Sequence, residues 1–124
     1  MVWDYHVILL VQADGAWRVY DLDSLLGLDV PLAQYLRSSF APRGPLPPPW
    51  AQRFRVIDAD IYVKHFSSDR SHMRREGRWT APPPPWPCIL SGEDAHNLFA
   101  FADTRAPFHG SCFDLPGLQA RFGV

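Results

Sequence analysis

Residues 3–11 (WDYHVILLV) form one short run of aromatic, β-branched and aliphatic side chains, a composition typical of a β-strand. We predict a strand over residues 3–12. Because both its odd and its even positions are apolar, we expect both faces of the strand to be covered. Residues 17–23 (WRVYDLD) resume the strand pattern after Asp14-Gly15, a dipeptide typical of two-residue hairpin turns. The stretch therefore predicts a β-hairpin that carries His6 in its first strand.

The composition bounds the class of protein. The chain has 124 residues, of which 47% are hydrophobic and 20% charged, as in ordinary globular proteins, so we predict a single domain over residues 1–124. The formal net charge of −1 gives no reason to expect binding to nucleic acid or to an anionic membrane. There is no apolar run of about 20 residues, no basic signal-peptide segment and no disulfide framework. We therefore expect a cytoplasmic protein, acting as a monomer.

Helical and strand patterns alternate along the rest of the chain. Residues 59–66 are ambiguous between strand and helix. We otherwise predict a helix over 30–40, a strand over 53–58, a short helix over 93–103, a last strand over 111–115 and a closing helical turn over 116–122. The fold class that follows is α+β, with an antiparallel sheet and flanking helices.

The 13 prolines cluster in two segments, 41–52 (APRGPLPPPWAQ) and 81–88 (APPPPWPC). Neither segment can be regular helix or central strand. Four successive prolines favour the polyproline II conformation, which serves as a rigid spacer or as a ligand for proline-binding domains. Because the second segment lies between apolar elements, we favour a rigid loop at the rim of a site.

His6 has two carboxylates within reach in the predicted hairpin. A two-residue turn at Asp14-Gly15 fixes a register in which His6 lies opposite Asp23 and diagonal to Asp21, all on one face. Either carboxylate can then accept the imidazole N–H and leave the other ring nitrogen as a base. That is the histidine–carboxylate half of a nucleophilic triad. The alternative is a polar pair with no chemical role.

The other candidate residues give weaker signals. Cys88 is either a small buried hydrophobic residue or a nucleophile, and a proline segment supplies no helix dipole to activate it. His65 and His72 with Cys88 or His96 match no recognised zinc spacing, so we expect no metal site. In residues 67–73 (SSDRSHM), Asp69 either caps a helical turn in a solvated loop or helps to organise a site.

Taken together, several stretches resemble one family, the protein N-terminal glutamine amidohydrolases. They are WDYHVILL at 3–10, YDLDS at 20–24, FRVIDADIYVKHFSSDRSHM at 54–73, WTAPPPPWPCI at 79–89 and QARFG at 119–123. The resemblance covers nearly the whole chain, in order and with similar spacing.

The resemblance implies an activity and a site. The family deamidates the N-terminal glutamine of proteins and peptides to glutamate with release of ammonia, which feeds the N-degron route. Its Cys-His-Asp triad stands on an α/β scaffold similar to those of transglutaminases and papain-like cysteine hydrolases, and it uses no metal or organic cofactor. The resemblance assigns the triad histidine to His6 and the aspartate to Asp21. We also expect Trp3, Asp69 and Trp86 to contribute to substrate binding.

The resemblance also implies a gap. The family's nucleophilic cysteine lies upstream of the WDYHV motif, and no residue here matches it; Cys88 matches a different cysteine, in the proline motif. We therefore expect an N-terminally truncated domain that has no deamidase activity alone. A start codon placed too far downstream, a fragment and a degenerate homologue that binds peptide N-termini all remain open.

Overall fold

A computed structural model describes residues 5–40, 44, 47, 50–91 and 93–124. Trp3 and most of the proline segment at 41–49 lie outside the described residues. The chain divides into two compact units, one from residues 1–53 and 114–124 (the terminal unit) and one from residues 54–113 (the central unit). The single domain over residues 1–124 stays a prediction.

The elements of the described chain are short. In order they are β1 (Leu9–Ala13), β2 (Ala16–Tyr20), β3 (Val30–Pro31), α1 (Leu32–Ser39), β4 (Phe54–Val56), α2 (Ala59–His65), a 3₁₀ turn (Ser71–Met73), β5 (Arg74–Arg75), β6 (Arg78–Trp79), α3 (Leu98–Ala102), β7 (Ser111–Phe113) and α4 (Leu115–Phe122).

The terminal unit contains the predicted hairpin. Strands β1, β2 and β3 form an antiparallel sheet in that order. The register pairs Ala13 with Ala16 and Leu9 with Tyr20, as the two-residue turn predicts. Asp14 and Gly15 both have positive φ (49° and 77°), the conformation that a tight primed turn requires. The predicted hairpin and its register are therefore confirmed.

The core of the terminal unit lies between this sheet and α1. The helix buries Leu32, Tyr35 and Leu36, which are spaced three and four residues apart and share one helical face. Val19 of β2, paired with Val30 of β3, is buried as well. The predicted helix over residues 30–40 is thus confirmed in kind, but its first two positions belong to β3.

Two predictions about the hairpin were wrong, namely the bounds of its strands and the burial of both faces of its first strand. Residues 5–8 lie outside regular structure, so β1 begins at Leu9 rather than at residue 3, and β2 ends at Tyr20 rather than at residue 23. The reason is a turn at Asp21, whose carbonyl accepts the N–H of Ser24 at 3.3 Å and whose carboxylate accepts the N–H of Asp23 at 2.9 Å. These local bonds compete with the strand ladder and end it.

The second error concerns the faces of β1. Four residues at odd positions, Tyr5, Val7, Leu9 and Val11, are all exposed, Val7 by 59%. The covered face is the one that carries Leu10 opposite Val19. The small sheet packs on one face only, as antiparallel sheets commonly do.

The central unit consists of two small antiparallel pairs, β4 with β7 and β5 with β6, and the helices α2 and α3. The segment 59–66, ambiguous in sequence, is helical over Ala59–His65, which is α2. Phe101 of α3 is buried and makes edge contacts with Tyr62 and Phe108, whose ring centroids lie 5.2 and 4.8 Å away. The protein is therefore α+β as predicted, with several small antiparallel sheets in place of one.

Two features hold β4 against the segment that returns to β7. The guanidinium of Arg55 donates to the main-chain carbonyls of Phe101, Asp103, Ala106 and His109. Gly110 has φ +80°, and a Cβ there would lie 2.2 Å from the carbonyl oxygen of Val56. Only glycine allows this close backbone approach.

Among the described residues, no helix combines the length and the apolar character that a membrane-spanning segment needs.

Candidate active site

His6 and Asp21 are in contact. His6 Nε2 lies 2.9 Å from Asp21 Oδ1, and the side chain of Asp21 is 2% exposed against 16% for His6. Asp21 directly follows β2, and His6 lies three residues before the start of β1. The contact predicted from the register is present, but the chain reaches it through the turn at Asp21 rather than through a continued strand.

Two further groups hold the carboxylate of Asp21. The hydroxyl of Tyr35, buried in α1, donates to Oδ2 at 2.8 Å, and the backbone N–H of Asp23 donates to Oδ1 at 2.9 Å. Both oxygens are therefore engaged, which is what a buried carboxylate requires. Sequence reasoning missed Tyr35 as a site residue, because it fits the apolar period of the helix. The available signal was a hydroxyl on a core position, since a buried tyrosine O–H needs an acceptor.

These contacts decide the charge of the pair. Burial by itself raises the pKa of Asp21, but the hydrogen bonds from Tyr35, His6 and the Asp23 backbone outweigh it, so the pKa is lowered. Burial and the bond to Asp21 raise the pKa of Tyr35 well above its ordinary value. At neutral pH the site thus holds a charged carboxylate beside a neutral phenol donor and an imidazole.

Asp23, the alternative carboxylate, has a different position. Its Oδ2 lies 3.9 Å from His6 Nδ1, and its side chain is 72% exposed. Among the described residues, one set of three His, Cys or carboxylate groups has its ligand atoms within 4.8 Å of one another, namely His6, Asp21 and Asp23. A cation there would compete with the hydrogen bonds that Asp21 already accepts. The contacts favour an imidazole oriented by Asp21.

In the central unit, the loop at 67–73 and the proline segment at 81–88 are hydrogen-bonded to each other. The guanidinium of Arg70 donates to the carbonyls of Pro84, Trp86 and Pro87 at 3.3, 2.8 and 3.1 Å. The SSDRSHM loop and the proline segment are thus fastened together by one side chain. Trp86 itself is 62% exposed. Nothing in the local sequence pattern signals this contact, because it spans 14–17 residues.

Asp69 lies in the same loop. Its carboxylate accepts the N–H of Ser71 at 2.8 Å, at the start of the 3₁₀ turn, and this interaction with Ser71 lowers the pKa of Asp69. Its side chain is 40% exposed and lies 3.3 Å from Nδ1 of His96. Both open interpretations therefore retain support, since Asp69 holds a turn and also presents a charged, accessible carboxylate.

The remaining candidates have other partners. His65 stacks on His109 with ring centroids 4.4 Å apart, and its Nδ1 lies 3.3 Å from Glu93. His72 lies beside His96, with 5.2 Å between the ring centroids. Cys88 is a half-buried free thiol. Of the four residues considered for a metal site, His72 and His96 lie side by side.

A buried carboxylate that engages one nitrogen of a half-buried imidazole is the arrangement by which nucleophilic hydrolases orient their base. Comparison with known proteins identifies the family of the chain. Residues 1–122 match the family model described as N-terminal glutamine amidase. Relatives named protein N-terminal glutamine amidohydrolase are 40% identical in Bos taurus, 40% in Homo sapiens and 39% in Danio rerio, over 98%, 99% and 100% of this chain.

The chain belongs to the protein N-terminal glutamine amidohydrolase family. The family resemblance seen in the sequence is thereby confirmed. The chain spans 60%, 62% and 63% of the length of the three relatives.

Proposed function

We propose that His6 and Asp21 are the base and the orienting carboxylate of a Cys-His-Asp site that deamidates the N-terminal glutamine of proteins and peptides. The observation that carries the proposal is the 2.9 Å contact between His6 Nε2 and the buried Oδ1 of Asp21. Family membership supports the substrate class. The contact engages Nε2, and Nδ1, which lies 3.9 Å from Asp23 Oδ2, is the nitrogen that would exchange a proton with a thiol.

The chemistry is acyl transfer in two steps. A thiolate attacks the side-chain carboxamide carbon of glutamine, and backbone N–H groups hold the developing oxyanion. His6, as the imidazolium, protonates the departing nitrogen, so that ammonia leaves and a thioester forms. His6 then takes a proton from water, which attacks the thioester, releases glutamate and restores the thiol. Asp21 stabilises the imidazolium in both steps.

The nucleophile in this proposal is a cysteine outside these 124 residues. One expectation and one observation support this. The resemblance matches Cys88 to a cysteine other than the nucleophile, and the chain spans 60–63% of the length of three relatives. We further propose a cytoplasmic monomer on a scaffold similar to those of transglutaminases and papain-like hydrolases, acting without a metal or organic cofactor.

Selection of the first residue of a substrate requires recognition of a free α-ammonium. Asp69 offers a charged carboxylate that solvent reaches, and Trp86 offers an exposed aromatic ring in the proline segment. Arg70 fixes the proline segment to the loop that carries Asp69. We include Asp69, Trp86 and Trp3 in the proposal as substrate-binding residues.

The test uses two proteins and three peptides. The proteins are the chain itself and an extended protein that also includes any in-frame codons found upstream of Met1. The peptides begin with glutamine, with asparagine or with acetylated glutamine, and release of ammonia is measured. We expect turnover of the first peptide by the extended protein, and its loss in His6→Gln and Asp21→Ala.

Three outcomes count against parts of the proposal. Turnover by the chain alone would show that the nucleophile lies within it, and Cys88→Ala would then locate it. An extended protein that carries an upstream cysteine and leaves all three peptides intact would refute the deamidase. Binding of the glutamine peptide without turnover, measured by calorimetry, would favour the alternative, a degenerate homologue that binds peptide N-termini.

A further inference from the structure

We propose that Tyr35 is a positioning residue of this site, which fixes the carboxylate of Asp21 so that one oxygen serves His6. The inference deepens the proposed function and rests on it for its catalytic meaning. Tyr35 is 1% exposed, and its hydroxyl donates to Asp21 Oδ2 at 2.8 Å.

The two oxygens of Asp21 accept hydrogen bonds from different donors. Oδ1 accepts His6 Nε2 and the N–H of Asp23, both at 2.9 Å, while Oδ2 accepts the hydroxyl of Tyr35. The torsion about the Cβ–Cγ bond is broad, so bonds at one oxygen restrain the plane of the carboxylate less than bonds at both. The bond from Tyr35 engages the second oxygen and fixes the plane.

Tyr35 is itself held by the core. It lies between Leu32 and Leu36 on the buried face of α1, and its ring contacts Phe40 edge-on, with centroids 6.1 Å apart. The helix therefore sets the position of the hydroxyl. The orientation of the Asp21 carboxylate depends in turn on the packing of α1 against β2 and β3.

The experiment compares Tyr35→Phe with the matched variant Tyr20→Phe. Both variants remove a hydroxyl that donates to an aspartate, since Tyr20 donates to Asp29 at 3.1 Å on the exposed surface. Phenylalanine keeps the ring and its contacts. NMR on the isotope-labelled chain gives two readouts, the titration of the Asp21 carboxyl carbon and the share of His6 protonated at Nε2 in the neutral ring.

We expect Tyr35→Phe to move the Asp21 titration to higher pH and to lower the share of the Nε2–H tautomer of His6, because the carboxylate loses a donor and its fixed plane. Tyr20→Phe should leave both readouts as in the unmodified chain. A residue that only fills space would change neither. Identical tautomer populations and Asp21 titrations in Tyr35→Phe and the unmodified chain would overturn the inference.

The unmodified chain provides a second measurement if Tyr35→Phe fails to fold. A hydroxyl hydrogen-bonded in the core exchanges slowly with solvent, so the ring carbon that bears it shows separate signals for O–H and O–D in mixed water. We expect this splitting for Tyr35 and its absence for Tyr20. Equally fast exchange at both would overturn the inference.

Kinetics separate this inference from the proposed function. In the extended protein, Tyr35→Phe should lower kcat roughly tenfold with little change in KM, because the orienting bond is lost while substrate contacts remain. Full kcat in Tyr35→Phe would refute the positioning role and leave the deamidase intact. No ammonia release by any extended protein, together with the expected NMR changes, would refute the deamidase and leave the orientation of Asp21 by Tyr35 established.

Discussion

Replacing Asp21 by alanine and by asparagine separates its hydrogen bonds from its charge. The carboxylate accepts from Tyr35, His6 and the backbone N–H of Asp23. Alanine removes the acceptor of all three hydrogen bonds. Asparagine keeps the shape, because its amide oxygen can face His6 and the Asp23 N–H. Its NH₂ group then faces the hydroxyl of Tyr35, which can rotate to accept.

The burial of each donor gives the magnitude for Asp21→Ala. The hydroxyl of Tyr35 is in the core and cannot reach water, so its loss of an acceptor costs about 1–3 kcal/mol. His6 is 16% exposed and Asp23 lies at the surface. The imidazole of His6 and the backbone N–H of Asp23 can therefore bond to water instead, and their two lost bonds together cost about 1 kcal/mol. We expect Asp21→Ala to lower the free energy of unfolding by about 2–4 kcal/mol.

Asp21→Asn should lower the free energy of unfolding by about 1 kcal/mol or less at pH 7, because every donor keeps a partner. Its dependence on pH should also differ. The hydrogen bonds hold the pKa of Asp21 below its ordinary value despite burial, so the unmodified chain loses stability as pH falls below about 4 through the lower folded value. Asp21→Asn has no carboxyl at this position, and it should lack this part of the acid destabilisation.

Urea unfolding followed by circular dichroism at pH 7 and at several values between pH 5 and 2.5 measures both effects. Asp23→Asn is the matched control, since that side chain is 72% exposed and lies 3.9 Å from His6. Equal destabilisation by Asp21→Ala and Asp21→Asn would mean that charge, not hydrogen bonding, maintains the site. A loss under about 1 kcal/mol in Asp21→Ala would refute the described burial of the carboxylate.

Two further predictions concern the central unit. Arg55→Lys should lower the free energy of unfolding by about 2–3 kcal/mol in urea titrations, because one ammonium cannot reach the four carbonyls that the guanidinium binds, whereas Arg53→Lys at an exposed position should change little. Gly110→Ala should lose about 3 kcal/mol or more, since its φ is +80° and the methyl would lie 2.2 Å from the Val56 carbonyl oxygen. Gly77→Ala, with positive φ and open space, should lose only about 1 kcal/mol by the same measurement, and equal losses in the two glycine variants would contradict the clash.

The sequence predicted what local chemistry decides. The Asp14-Gly15 dipeptide predicted both the hairpin and its register, and the register brought His6 to the side of the sheet that carries Asp21. The helix over residues 30–40 followed from spacing alone, and α1 occupies most of that range. Period and turn type are properties of a few adjacent residues, so one sequence is enough to reveal them.

What the sequence could not predict depends on contacts between distant positions. The donation from Tyr35 to Asp21 and the three bonds of Arg70 to the proline segment follow no local period. The predicted end of the second strand was wrong for another reason. The side chain of Asp21 accepts the N–H of Asp23, and this local bond competes with the hydrogen bonds of the strand ladder.

That competition explains why the YDLDS stretch serves both fold and site. Asp21 ends β2 by accepting the N–H of Asp23, and the same Oδ1 accepts His6 Nε2. The bond that stops the strand therefore also orients the carboxylate toward the imidazole. Had the ladder continued past Tyr20, the strand register would have placed Asp23 directly opposite His6 and Asp21 diagonal to it, with both carboxylates within reach of the imidazole. Where the strand stops, the two aspartates take different positions: Asp21 is buried and lies 2.9 Å from His6 Nε2, whereas Asp23 is 72% exposed and lies 3.9 Å from His6 Nδ1.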